Sequence, residues 1–416
     1  MITNITKSNE FNLQLDFKQV IYALSDSLDF VGVDEIHHGK RVGIMAQECA
    51  KTMGMSEAQS KHVFEIGLLH DCGVSSTRVH QHLVSEFDWS SSQIHCDTGF
   101  ELLNSVEFFR PMAMPIKYHH THWQLLQDLD IDEKIKEYAN IIYLADRVDV
   151  LGAAHYGKDI LAAKEEIRRI VSEKSGEYFA PHINEAFWEA SQKQAFWLSL
   201  TPEHIMHFMQ NLSNERNSKL ISPEELMEIA LLFSKIVDTK SPFTMEHSFG
   251  VAKISRYLAE KLNLSKEVLY KIEIAGLLHD LGKLKIPDEI LEKTDKLTEN
   301  ERGIIQIHSF ETYEILSNIT GLEDIARWAA YHHERADGKG YPFQINKDNL
   351  EIESKIIAAS DVFQALVQNR PYRPALSIPE ALVILNEMVI DGSLDSEIVK
   401  IISENSIECH ELAFQR

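Results

Sequence analysis

His279-Asp280-Leu281-Gly282-Lys283 decides how this chain is read. An imidazole and a carboxylate on adjacent residues, just ahead of a glycine, can reach one metal centre from a single short stretch of backbone. A second pair, His70-Asp71, stands far upstream, and the residues around the two pairs keep step. His38 to His70 and His247 to His279 both span 32 residues, and His95 to His119-His120 and His308 to His332-His333 both span 24. The stretch between differs, 25 residues from His70 to His95 against 29 from His279 to His308. Each copy then runs through an apolar segment into an aspartate, Asp146 and Asp361. Repeated spacing of this kind marks an internal duplication.

The elements read as helices. Val251, Ile254, Leu258 and Leu262 fall on one stripe after His247, and Val42, Met45, Cys49 and Met53 do so after His38. Ile272 to Leu278 is apolar and ambiguous by period, and its place in the repeat favours helix. Ser222-Pro223-Glu224-Glu225 combines an N-cap, a proline at the first helical position and a capping-box glutamate, and Thr201-Pro202-Glu203 signals another helix start. No segment alternates clearly enough to demand a sheet. The expected fold is all-α, with one domain over residues 1–213, a polar linker over 214–221 and a second domain over 222–416.

Composition bounds the function. The 416 residues exceed one ordinary core, and 44% hydrophobic with 25% charged residues is normal for a folded chain. A formal net charge of −23 argues against a nucleic-acid polymer as partner. No apolar run is long enough for a bilayer, and the N-terminus lacks a signal-peptide pattern. The four cysteines form no CxxC pair and read as reduced thiols. The expectation is a cytoplasmic protein without a membrane partner.

In the downstream copy His247, His279, Asp280, His308, His332, His333 and Asp361 are all metal-ligating types, more than one tetrahedral ion needs. They fit two ions sharing a carboxylate, an arrangement that clamps phosphoryl groups and supplies hydroxide at neutral pH. That chemistry is phosphoester hydrolysis.

His279-Asp280-Leu281-Gly282-Lys283 is followed by Ile286-Pro287-Asp288, then by His332-His333-Glu334-Arg335-Ala336-Asp337-Gly338-Lys339-Gly340-Tyr341-Pro342 and Asn369-Arg370-Pro371-Tyr372-Arg373. With these motifs, residues 222–405 resemble the HD-GYP family, a branch of the HD phosphohydrolase superfamily. The resemblance implies an all-helical fold, two or three metal ions, usually iron or manganese, and cleavage of cyclic di-GMP to pGpG or GMP. It assigns His247, His279, Asp280 and Asp361 to one metal, Asp280 as the bridge, and His308, His332 and His333 to the second. Asp280 and Lys283 are then catalytic. Lys283 and Arg370 would bind phosphate, and Gly340, Tyr341 and Pro342 would lie on a substrate-site lid. Trinuclear members carry glutamate four residues before the first histidine, where this chain has Phe243, so two divalent transition-metal ions are expected, and the linear dinucleotide is a more secure product than GMP. Gln364 replaces an aspartate usual three residues after Asp361, with an effect expected behind the ligands.

The upstream copy keeps His38, His70, Asp71, His95, His119, His120 and Asp146, a possible second metal site. It has Val74 in the place of Lys283, His155 in the place of Arg370, and no Gly-Tyr-Pro. It resembles a diverged HD domain. Three readings compete: a metal-binding but catalytically silent module that regulates or forms a homodimer, a hydrolase of another phosphate, or relics in a packed core. Loss of both phosphate cations favours the first. His62, His80, His82 and His155 match no anchor and read as surface or loop residues. For the whole chain the alternatives to cyclic di-GMP hydrolysis are a phosphodiesterase for 3′3′-cyclic GMP-AMP and a non-catalytic module that senses the nucleotide or scaffolds a partner.

Overall fold

The computed structural model describes residues 13–29, 37–74, 76–85, 87–88, 91–213, 218–240, 245–369 and 373–414. Phe243 and Arg370 lie outside these. The described residues are almost all helical and fall into two compact units. Residues 20–213 form one; residues 13–19 with those from 218 onward form the other.

Each unit repeats the same five elements. Upstream these are His38–Thr52, Glu57–Leu69, Gln93–Asn104, Arg110–Lys117 and Glu133–Gly152. Downstream they are Met245–Lys261, Lys266–Leu278, Glu299–Ser317, Glu323–Ala330 and Ile352–Val367. The second helix of each set starts on a serine. Ser56 makes a reciprocal capping box with Gln59, and the Ser265 side chain accepts from the Val268 amide. Both second helices pack closely on the first because they carry a glycine. A Cβ on Gly67 would stand 2.6 Å from Gly43 Cα, and one on Gly276 would stand 2.8 Å from Ala252 Cα. Ile272 to Leu278 is helical and buried. Ser222 and Glu225 make the expected capping box, and a helix runs from Pro202.

The described residues also hold one short strand pair. Leu13–Asp16 pairs antiparallel with Ser218–Ile221, Leu13 opposite Ile221 and Asp16 opposite Ser218. One of these strands lies in the segment read as linker. Four residues are too few for alternation to show, and the partners are some two hundred positions apart. No helix among the described residues is long and apolar enough to cross a membrane.

Candidate metal centre

The downstream centre draws its side chains from several helices and from the turns that follow two of them. His279 caps Lys266–Leu278 at its C-terminus, so its Nδ1–H donates back to Gly276 O at 2.7 Å. His308 donates to Ile305 O and His332 to Ala329 O, both at 2.6 Å. His247 Nδ1 pairs with Gln364 Oε1 at 2.6 Å. With each Nδ1 holding the proton, each Nε2 carries a bare lone pair. These Nε2 atoms converge. His308 Nε2 is 3.2 Å from His332 Nε2. The His279 Nε2 is buried without a hydrogen-bond partner.

Asp280 sits between two groups. Its Oδ2 is 3.3 Å from His279 Nε2 and 3.7 Å from His247 Nε2, while its Oδ1 is 3.6 Å from His308 Nε2. Asp361 Oδ1 is 3.1 Å from His247 Nε2. Atoms bound to one ion at about 2.0–2.2 Å stand roughly 3.0–3.5 Å apart, close to these separations. Lone pairs facing each other at this range repel unless a cation lies between them. The donor set therefore fits metal ions.

Protonation agrees. Burial holds the His308 imidazole down at about 3 and that of His333 at about 4, and keeps His332 well below its ordinary value. Burial by itself would raise Asp280 and Asp361, but the neighbouring His279 and His247 respectively hold them well below the usual carboxylate range. Neutral His308, His332 and His333 beside ionised carboxylates are in the forms that ligate, whereas, against the lowering effect of burial, Asp280 raises the His279 pKa.

The glycine after the His-Asp pair has a steric reason. A Cβ on Gly282 would stand 2.0 Å from His308 O, so only glycine lets this turn lie against the helix that carries His308. Thr312 fixes the approach, accepting from the Gly282 amide at 2.9 Å and donating to His279 O at 3.1 Å. Lys283 Nζ, one-fifth exposed, donates to Asp280 Oδ2 at 2.5 Å.

The Gly-Tyr-Pro loop is tied to the tandem histidines by Glu334. This buried carboxylate accepts the amides of Phe343, Gln344 and Ile345 at 2.7, 3.1 and 3.0 Å. The Tyr341 amide donates to His333 O at 3.2 Å, and the Tyr341 ring lies 4.8 Å from the His333 ring. A Cβ on Gly340 would stand 2.4 Å from Arg335 N. The Tyr341–Pro342 peptide is cis. The sequence reading quoted Glu334 but gave it no role; its position beside His333 was the available signal.

The upstream centre repeats this plan. His70 and His119 donate through Nδ1 to Gly67 O and Ile116 O at 2.9 and 2.6 Å. His38 Nε2 is 3.3 Å from His70 Nε2, 3.5 Å from Asp146 Oδ1 and 3.6 Å from Asp71 Oδ2. His95 Nε2 is 3.2 Å from His119 Nε2 and 3.4 Å from Asp71 Oδ1. Gly73 makes the same close approach as Gly282, its Cβ position 2.1 Å from His95 O.

What surrounds these atoms differs. His38 Nδ1 pairs with Asp149 Oδ2 at 2.7 Å, and Asp149 also binds Arg41 at 2.6 Å. Burial disfavours a charged His38, yet Asp149 holds its pKa up at about 9. Arg147 is buried and grips Asp146 Oδ2 at 2.7 Å. Val74 is buried where Lys283 stands downstream. The described residues here, among them His38, His70, Asp71, Val74 and His80, line a cavity of about 20 Å³. That is room for about one water or ion, against roughly 300–1,000 Å³ for small-molecule pockets.

Family models described as HD domain match residues 36–151 and 231–398. A 3′3′-cGAMP-specific phosphodiesterase 1 of Vibrio cholerae is 38% identical over 98% of this chain and 96% of its own length. The chain belongs to the HD-GYP phosphodiesterases. A cyclic di-GMP phosphodiesterase response regulator of Xanthomonas campestris is 40% identical over 32% of this chain and 36% of its own. A crystallised cyclic GMP-AMP-specific phosphodiesterase of V. cholerae aligns with a TM-score of 0.63 at 25% identity, covering 97% of this chain and 98% of that one.

The structure brings together His247, His279, Asp280, His308, His332, His333 and Asp361 downstream, and His38, His70, Asp71, His95, His119, His120 and Asp146 upstream. His80 corrects its reading as a surface or loop residue. It lies on helix Thr77–Ser85, buried, with its ring 6.2 Å from that of His38. The helix lies within the stretch between His70 and His95, where the two copies differ in length and the repeat offers no register. His62 is helical and packs on Tyr138 with ring centroids 5.7 Å apart.

Proposed function

We propose that the downstream centre hydrolyses 3′3′-cyclic GMP-AMP, with cyclic di-GMP the second substrate reading. The observation that supports hydrolysis is Asp280, whose two oxygens face two separate groups of imidazole nitrogens. His247, His279, Asp280 and Asp361 would hold one divalent transition-metal ion; Asp280, His308, His332 and His333 would hold another. Iron or manganese suits such nitrogen and oxygen donors. Bound there, two ions polarise a phosphodiester and activate water.

The chain's own residues do the rest. Lys283 is anchored at the lip of the centre by Asp280, close enough to pair with a phosphate oxygen and offset charge developing there. Arg370 would grip a second phosphate oxygen. Glu334 holds the Tyr341-Pro342 loop over His333, so the loop orients substrate and limits water. The upstream domain binds metal without hydrolysing: its small cavity, Val74 and the Arg147 grip on Asp146 all oppose phosphate entry. Four buried free thiols suit the reducing cytoplasm.

Sequence motifs alone put cyclic di-GMP first. The order is reversed here because the relative matched along both halves acts, by its name, on 3′3′-cGAMP, whereas the cyclic di-GMP relative matches only a third of the chain. The test is to load the purified chain anaerobically with iron or manganese and supply each dinucleotide separately, reading products by chromatography. Faster cleavage of 3′3′-cyclic GMP-AMP is expected. Preference for cyclic di-GMP reverses the order, and no cleavage of either with any metal ends the hydrolase reading.

A further inference from the structure

We propose, on the reading that the Gly-Tyr-Pro loop orients a cyclic dinucleotide, that the turn Asp391–Gly392 anchors the outer end of this loop and that Arg335 and Asp337 are positioning residues acting through it. Glu334 holds the loop from within, at Phe343 to Ile345. The outer end reaches solvent, with Lys339 82% exposed. There Arg335 Nε donates to Asp337 Oδ1 at 3.0 Å and Arg335 Nη2 to Asp337 Oδ2 at 2.9 Å, a two-bond fork. Asp337 Oδ1 also accepts the Lys339 amide at 3.0 Å. The folded tip then docks on another element. Arg335 Nη2 donates to Asp391 O at 3.0 Å, and the Asp337 amide donates to Gly392 O at 3.1 Å.

These acceptors follow from helix geometry. Asp391 and Gly392 close helix Ile378–Ile390. The carbonyls at a helix C-terminus lack intrahelical partners and carry the negative end of its dipole, so a guanidinium suits that position. The turn is fixed from its own side. Gly392 adopts φ +78°, and its amide donates to Val389 O at 3.1 Å. The Ser393 amide donates to Asp391 Oδ1 at 2.9 Å, and Leu394 is buried. A Cβ on Gly392 would stand 3.0 Å from Asp337 Cβ. Glycine therefore both makes the left-handed turn and lets the loop lie against it.

Arg335 and Asp337 are about one-third and one-fifth exposed. An ion pair so placed adds little to global stability; what this one fixes is direction. With both ends held, Gly338 to Tyr341 has few conformations left, and less ordering is required when substrate arrives. A dinucleotide that touches the loop as well as the metal centre depends on this. A small diester that needs only the centre does not.

The test compares the manganese-loaded full chain with its Arg335→Gln and Gly392→Ala variants. For whichever dinucleotide the wild type cleaves faster, kcat/KM should fall on the order of tenfold. Metal content and kcat/KM for bis(4-nitrophenyl) phosphate should stay near wild type. Equal losses on both substrates, or no loss on the dinucleotide, overturn the positioning role. Trypsin cleavage after Lys339 reads the anchor directly and needs no substrate. Gly392 is remote from that bond in sequence, so faster cutting in Gly392→Ala reports a released loop. An unchanged rate overturns the anchor, whether or not the chain is a phosphodiesterase. A wild type that cuts neither dinucleotide ends the hydrolase reading and the positioning role together, and the trypsin rates then decide the anchor by themselves.

Discussion

The two His-Asp centres place their ligand atoms almost alike and differ in what holds those atoms from behind. Downstream, His247 rests on a neutral amide, Gln364, and Asp280 has an ammonium beside it at the lip. Upstream, His38 rests on an ionised carboxylate, Asp149, itself locked by Arg41, and Arg147 occupies one oxygen of Asp146. Buried arginines thus spend their charge on protein carboxylates in one half, while in the other a part-exposed lysine stands beside Asp280. The two halves thus share the imidazole–carboxylate frame and differ in the charges set behind and beside it.

The sharpest way to break this comparison is to remove the shared carboxylate on each side. Asp280→Ala should lower turnover of the cyclic dinucleotide at least about a thousandfold, roughly 4 kcal/mol of barrier, and Asp71→Ala should leave it near wild type. Equal losses would erase the distinction between the halves. Next, Asp149→Asn leaves Arg41 buried without its counter-charge and should destabilise the upstream unit by about 3–5 kcal/mol. Gln364→Leu removes only a neutral partner and should cost about 1–2 kcal/mol. Denaturant unfolding checks both, and similar losses would show that the charge difference behind the two histidines has no energetic meaning.

Glu334→Gln keeps the shape of the loop tether but loses its charge and one acceptor. A fall in kcat/KM of about 10–100-fold is expected, with metal content unchanged. Full activity would detach the loop from the chemistry. The smallest effect is an acid one. Glu301 caps the helix that carries His308, and its hydrogen bonds from Lys293 and then from Thr298 hold its pKa down at about 2, against an ordinary 4.5. A folded pKa below the unfolded one stabilises at higher pH. The contribution is complete above about 4.5 and is lost as pH falls through about 2. Ser92, opening the matching upstream helix, makes no side-chain cap bond. The stability gap between wild type and Glu301→Gln should therefore narrow as pH drops across that window; a gap that does not change with pH contradicts it.

Much was legible in the chain. The repeat gave both sets of histidine and aspartate anchors, because spans of 32 and 24 residues recur between them. Serine caps and apolar stripes gave the helices. The parts played by Glu334, Arg147 and His80 are not legible in the chain. Arg147 reaches Leu83 O and Phe87 O, 64 and 60 residues away, and Glu334 reaches amides 9 to 11 residues on through a loop whose path no period predicts. The short strand pair escaped for a similar reason.

By itself, then, the sequence determined the helical duplication, the metal-ligating residue types and which half carries Lys283 and Arg370, since these depend on local pattern and composition. Only the tertiary structure decided that Asp280 and Asp71 each turn one oxygen to either side, that Glu334 carries the loop, and that upstream arginines are already paired. Those facts depend on directions and distances between side chains from separate helices, which packing sets and no spacing along the chain encodes.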